Sequence, residues 1–236
     1  MQELIGPSAD EQAVKEFMEL FFSEAVVEQI SYVMGRCESK VKVIAIVDGS
    51  FDLQKRKATM RVRYFLEKLA QLTDMIEVHV YEKNDEAEIL SQINTEYYPT
   101  IALFDTNEKY SGVCFHGFPG GHELEAFILA IYNVSGPGQP ISNELKERID
   151  ALSKPLNLKI CVSLHCLICL EVVEAANRIA ILNQKIRTAT FDIECFTELT
   201  DKYEIPSIPA IIINDDEIIF GRRGLKELLG ALGKDE

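Results

Sequence analysis

Two β-branched runs, VKVIAIV from Val41 and LKICVSL from Leu158, start 117 residues apart, and each opens the same succession of elements. After the first, apolar spacing predicts a basic amphipathic helix over residues 53–72, a strand over 76–81 and a short helix near 87–93. Strands over 101–104 and 112–117 and a helix over 122–133 complete that series. After the second run come a helix over 169–182, a strand within 185–193 and a short helix over 196–203. Strands over 210–213 and 217–220 and a last helix over 225–232 follow. Pro99 and Pro209, 110 residues apart, each stand just ahead of an apolar strand. The order β-α-β-α-β-β-α therefore occurs twice. A period this long means two copies of one domain, since solenoid repeats are far shorter. Strands interleaved with helices predict an α/β fold, with mixed central sheets flanked by helices. The Gly- and Pro-dense segment 134–140 marks the boundary, giving domains at 1–135 and 141–236. Ahead of the first copy, Val14, Phe17, Met18, Phe21, Phe22, Val26, Val27 and Ile30 predict a helix over residues 10–34.

A chain of 236 residues with 47% apolar content has room for two such cores. The net charge of −14 argues against nucleic acid and anionic lipid as partners, because both are bound through Lys and Arg. It favours partners that carry a basic patch. The start, MQELIGPSADEQ, lacks the basic and apolar regions of a secretory signal, and no run is long enough for a membrane span. Six cysteines in this length are not a disulfide scaffold. The expected compartment is the reducing cytoplasm, where a close cysteine pair points to redox or metal chemistry.

That pair is Cys166-Leu167-Ile168-Cys169, set between a predicted strand and a predicted helix. A sulfur there lies by the free N–H groups of a helix N-terminus, where the dipole favours negative charge. The thiol ionises more easily and can attack a disulfide. The second cysteine can then close an intramolecular disulfide and release the partner. Three other readings are open: a zinc half-site joined by Cys161 and Cys195, two inert core thiols, and a static disulfide. Cys161 sits within a strand and is expected in the core, while Cys37, Cys114 and Cys195 have no partner in sequence. Ile208-Pro209 begins an apolar strand 43 residues after Cys166. Proline belongs at a strand start, and X-Pro bonds adopt cis cheaply. A cis bond here would free the Ile208 backbone to pair with an incoming extended segment; a trans proline at a strand start is the alternative.

The stretches Gly117-Phe118-Pro119-Gly120-Gly121-His122-Glu123, Ser163-Leu164-His165-Cys166-Leu167-Ile168-Cys169, Ile208-Pro209-Ala210 and Phe220-Gly221-Arg222-Arg223-Gly224 resemble a known family. It is the N-terminal domain of the flavoprotein subunit of alkyl hydroperoxide reductase, two fused thioredoxin-like folds with a CxxC in the second only. The two-fold protein disulfide oxidoreductases of thermophiles are similar in architecture. The resemblance implies tandem thioredoxin-like folds, Cys166 as the attacking thiol, Cys169 as the resolving one and Pro209 as a cis-proline beside Ile208. It implies a flavoprotein disulfide reductase as electron donor and a peroxiredoxin, or another disulfide protein, as acceptor. Glu123 matches an acidic family residue near the redox pair and is the candidate for tuning thiol acidity; the alternative is a helix-start Glu that serves only the local dipole.

The sequence departs from the family in two ways. It stops soon after the second copy and has no GxGxxG, so no flavin or nicotinamide cofactor site is expected, and the chain is either a stand-alone shuttle or a fragment. Leu167, Ile168 and Leu170 stand where the family usually has polar residues and a proline. By the repeat offset, Gly49, Ser50, Phe51 and Asp52 occupy the place of the CxxC in the first copy, which therefore lacks a thiol there. That copy, with Pro99 as a possible second cis-proline, is expected to be a scaffold shaping the approach to Cys166. A peptide-binding module using the groove between the copies, and a disulfide isomerase, are the competing functions.

Overall fold

The computed structural model describes residues 8–49, 52–93 and 95–233. The first half contributes α1 (Ala9–Phe21), α2 (Glu24–Met34), β1 (Val41–Val47), α3 (Leu53–Leu72) and β2 (Ile76–Glu82). A 3-10 turn (Glu88–Gln92), β3 (Thr100–Phe104), β4 (Tyr110–His116) and α4 (Glu123–Ser135) follow. The second half contributes α5 (Asn143–Ala151), β5 (Leu156–Val162), α6 (Cys169–Leu182) and β6 (Ile186–Asp192). It ends with α7 (Thr197–Lys202), β7 (Ala210–Ile213), β8 (Glu217–Phe220) and α8 (Leu225–Leu232).

The strands form one eight-stranded mixed sheet in the order β2-β1-β3-β4-β6-β5-β7-β8. Each half supplies the same four-strand arrangement: a parallel β-α-β pair, then an antiparallel pair beside its first strand. The halves join head to tail, β4 running parallel to β6 with Val113 opposite Thr188 and His116 opposite Phe191. This pairing covers two sheet edges that would otherwise present unpaired backbone groups. Gly112, at φ +85°, permits the close approach, because a Cβ there would lie 2.7 Å from the Ile186 carbonyl oxygen.

Strand alternation sends Val43, Ala45, Leu103, Val113, Phe115, Ile160, Val162 and Ile211 to one face, beneath α1–α6 and α8. They form a single apolar core that runs through both halves. The other face carries two smaller clusters, one around Ile44, Ile46 and Phe104 and one around Phe191, Phe196 and Ile212.

The helix expected over residues 10–34 is two helices. Phe22 donates its N–H back to the Met18 carbonyl at 3.0 Å, and Ser23 turns extended before α2 begins. The break lets the adjacent Phe21 and Phe22 both pack on Phe65, with ring centroids 6.3 and 5.8 Å away. The short helix expected near residues 87–93 is the 3-10 turn. Helix α5 has no counterpart among the expected elements. Ser142 caps it, its Oγ accepting the Leu145 N–H at 3.3 Å, and buried Ile149 anchors it in the shared core. Among the described residues no helix is long and apolar enough to cross a membrane.

Candidate redox site

β5 ends at Val162, and residues 163–168 lead into α6, whose first residue is Cys169. The helix spans the residues that the apolar spacing predicts, 169–182. The turn before it is already wound: Cys166 donates its N–H to Ser163 O at 2.9 Å, and Cys169 to Cys166 O at 3.2 Å. Among the described residues no side chain caps α6, so its N-terminal N–H groups and dipole face this turn. Cys166 and Cys169 form a disulfide with Cα atoms 5.4 Å apart. The two cysteines sit in unlike surroundings. Cys169 is fully buried in the core, whereas Cys166 is half-buried at its margin. Between them Leu167 and Ile168 point outward, 72% and 47% exposed.

The strand register brings the proline to this place. β5 pairs antiparallel with β7 so that Cys161 faces Ala210, and that register, continued past the ladder, runs Pro209 toward Val162 and Ile208 toward the loop that carries Cys166. The ladder begins at Ala210, leaving Ile208 outside it. The Ile208–Pro209 bond is cis, and Pro209 O accepts the Gly221 N–H at 2.9 Å. The first half has the same device: Tyr98–Pro99 is cis and Pro99 O accepts the Gly117 N–H at 3.0 Å. Gly136–Pro137, in the boundary segment, is also cis.

The first half reaches the redox loop through residues 117–121. His122 donates its N–H to Leu164 O at 3.2 Å. Gly121, at φ +54°, lies so close that a Cβ there would be 2.2 Å from the same oxygen. Glu123, the first residue of α4, is 1% exposed, and among the described residues neither of its carboxylate oxygens has a hydrogen-bond partner. It lines a void of about 10 Å³ with Val162, Leu164, Thr190 and Asp192. Burial, then the charges of Asp192 and Glu174, push its carboxyl up to about 8. Burial also raises Asp192, and takes Glu174 up to about 7. Glu123 thus stands against the two residues that lead to the redox turn. Thr190 and Asp192 are not singled out by the sequence reading; an acidic residue closing the strand TATFD is the available signal.

The other thiols are kept protonated. Burial pushes Cys114 up to about 11 and both Cys161 and Cys195 up to about 12, and it raises Cys37. Such thiols are poor nucleophiles at neutral pH. Cys114 Sγ lies 3.6 Å from His116 Nε2, but burial takes that imidazole down to about 3, so the two do not form an ion pair. Among the described residues no group of three or more His, Cys, Asp or Glu could hold a metal ion. In the first half, Asp52 caps α3 by accepting the Lys55 N–H at 2.9 Å, while Ser50 and Phe51 lie outside the described residues.

A groove between the halves opens on the opposite sheet face, with a volume of about 620 Å³. Tyr97, Tyr110, His116, Lys159 and Arg187 line it. It touches the start of β5, at the far end of that strand from Cys166.

A family model described as a thioredoxin domain matches residues 156–232. The alkyl hydroperoxide reductase protein AhpF of Pseudomonas putida is 36% identical over 118 residues, 50% of this chain and 23% of that protein. Its counterpart in Staphylococcus aureus is 30% identical over 144 residues, 61% of this chain and 28% of that protein. The chain thus spans about a quarter of the length of these curated relatives. A crystal structure of the NTD_N/C domain of alkyl hydroperoxide reductase AhpF from Enterococcus faecalis superposes with a TM-score of 0.83. It is 33% identical, and the match covers 90% of this chain and 100% of that one. A protein disulfide oxidoreductase from Aeropyrum pernix, 20% identical with a TM-score of 0.76 over 89% of this chain and 91% of its own, shares the fold.

Proposed function

Because the chain belongs to the family of N-terminal domains of the alkyl hydroperoxide reductase AhpF, we propose that it is a thiol–disulfide oxidoreductase working through Cys166 and Cys169. The observation that carries this reading is the unequal setting of the two cysteines: one at the margin, one buried, at the head of an uncapped helix.

In the reduced protein the Cys166 thiolate attacks one sulfur of a partner disulfide. A Cys166–partner bond forms, the partner's S–S bond breaks, and the released partner thiolate takes a proton from water. Cys169, deprotonated in turn, attacks Cys166 Sγ. The Cys166–Cys169 bond closes and the second partner thiol leaves. Two electrons pass to the partner, and a dithiol reductant restores the protein. Burial of Cys169 keeps it from outside disulfides while leaving it one turn from Cys166. Ile208, outside the ladder ahead of Pro209, offers backbone to an extended partner segment. Glu123, when ionised, opposes a second negative charge on the redox turn and so tunes thiol acidity.

The relatives' name supports a place in peroxide reduction; within it we propose a flavoprotein disulfide reductase as donor, a peroxiredoxin as acceptor and a cytoplasmic setting. Residues 1–135 then serve as a scaffold for a redox domain at 141–236. The test is turnover of insulin or peroxiredoxin disulfides: Cys166→Ser abolishes it, and undiminished turnover ends the reading. The groove lined by Tyr97, Tyr110, Lys159 and Arg187 favours a second reading, a peptide-binding module. That reading predicts partner binding that survives loss of both Cys166 and Cys169.

A further inference from the structure

We infer that Leu167 and Ile168 select the partner, favouring disulfides whose reactive cysteine is flanked by an aliphatic or aromatic residue. The inference rests on the exchange chemistry proposed for Cys166 and names its substrate class. Large apolar side chains left in water on a folded surface mark contact sites when they cluster. Here two of the exposed ones are adjacent and lie between the redox cysteines, at 72% and 47% exposure. Leu164, Leu170 and Ile208, like Cys166 itself, are half-buried and pack against the same core. The nearest carboxylate on the first turn of α6, Glu171, is engaged by Arg222, so it does not offset the apolar character.

What covers this rim follows from the reaction. Attack at Cys166 requires the partner's sulfur to reach bonding distance, which lays the residues next to the partner's cysteine over Leu167 and Ile168. A polar flank would leave both side chains against unsatisfied groups, whereas an apolar flank removes them from water together with itself. The net charge of −14 acts at longer range, drawing basic surfaces toward the protein without choosing the residue that meets the rim.

Two synthetic cyclic peptides, each closed by one disulfide and differing only in Leu or Ser flanks to the cysteine, supply the test. The full chain, reduced with dithiothreitol and freed of it, is mixed with each, and single-turnover rates are compared. The wild-type protein is expected to reduce the Leu-flanked peptide faster by about tenfold or more, the selectivity that burial of one such side chain supplies. The double variant Leu167→Ser, Ile168→Ser is expected to bring that ratio within about threefold, whatever its absolute rate. A wild-type ratio near one overturns the inference, and so does a double variant that keeps the full ratio. Failure of the wild-type protein to reduce either peptide or a small aromatic disulfide overturns the exchange reading itself, a result distinct from a ratio of one.

Discussion

Glu123 shows most clearly what a residue can hide. In sequence it is a glutamate at a helix start, where a carboxylate ordinarily serves the dipole in water. The structure buries it, because residues 117–121 fold back on Leu164 and shut it against Asp192 and Thr190. No local pattern announces that closure. The carboxyl titrates near 8 when folded against an ordinary 4.5. Below about 4.5 both states are protonated and Glu123 is neutral toward stability; as pH rises toward 8 the unfolded chain ionises first and stability falls. Glu123→Gln removes this loss. Urea denaturation is expected to show wild-type stability declining from pH 5 to pH 8 by an amount on the order of 3 kcal/mol more than the variant's. Parallel pH profiles would contradict the burial. Cys166 and Cys169, by contrast, were legible as a pair, since two thiols three apart between a strand and a helix lie within reach of one disulfide. Which sulfur faces out was not written in the motif; it follows from Cys169 being the first inward position of α6.

Among the elements, those with strong apolar periodicity were legible, as with β1, α3, α6 and α8. Helix α5 was not, because the run after Ser142 is dominated by charge and only Ile149 goes deep. Its signal was the cap: Ser142 followed by Leu145, Ile149 and Leu152 at helical spacing. Ser142→Ala is expected to cost about 1 kcal/mol, read as a lower urea midpoint at unchanged m-value. Ile149→Ala is expected to cost more, about 2–5 kcal/mol, because it opens a cavity beside α6. The division of the first predicted helix shows the converse limit. Apolar spacing runs on through residues 21–26, yet Ser23 ends one helix and starts another.

At the scale of the whole molecule the repeat was visible and the seam was not. Parallel strands far apart in sequence carry no local mark of their pairing, and β4 is buried along its full length. The seam changes how the first half must be tested. Cutting the chain after residue 135 would strip β6 of its neighbour β4 and open the shared core, so the scaffold role proposed for the first half has to be tested in the intact chain. Gly121→Ala does this, since the new Cβ meets the Leu164 carbonyl and must shift the loop ahead of Cys166. Slower disulfide reduction and a lower urea midpoint are expected together; an unchanged rate would separate the first half from the redox turn. The shared core also predicts one unfolding transition. Circular dichroism and the fluorescence of the tyrosines, undisturbed by any tryptophan, should lose signal at the same urea concentration. Two separated transitions would mean that the halves are independent.

The central claim, that Cys166 is the sulfur that attacks, has a direct test in Cys169→Ser. Reduced and mixed with an oxidised protein disulfide, this variant cannot complete the second exchange, and peptide mass spectrometry should find the partner joined to Cys166. A stable adduct at Cys37, Cys114, Cys161 or Cys195, or none at any sulfur, would contradict it.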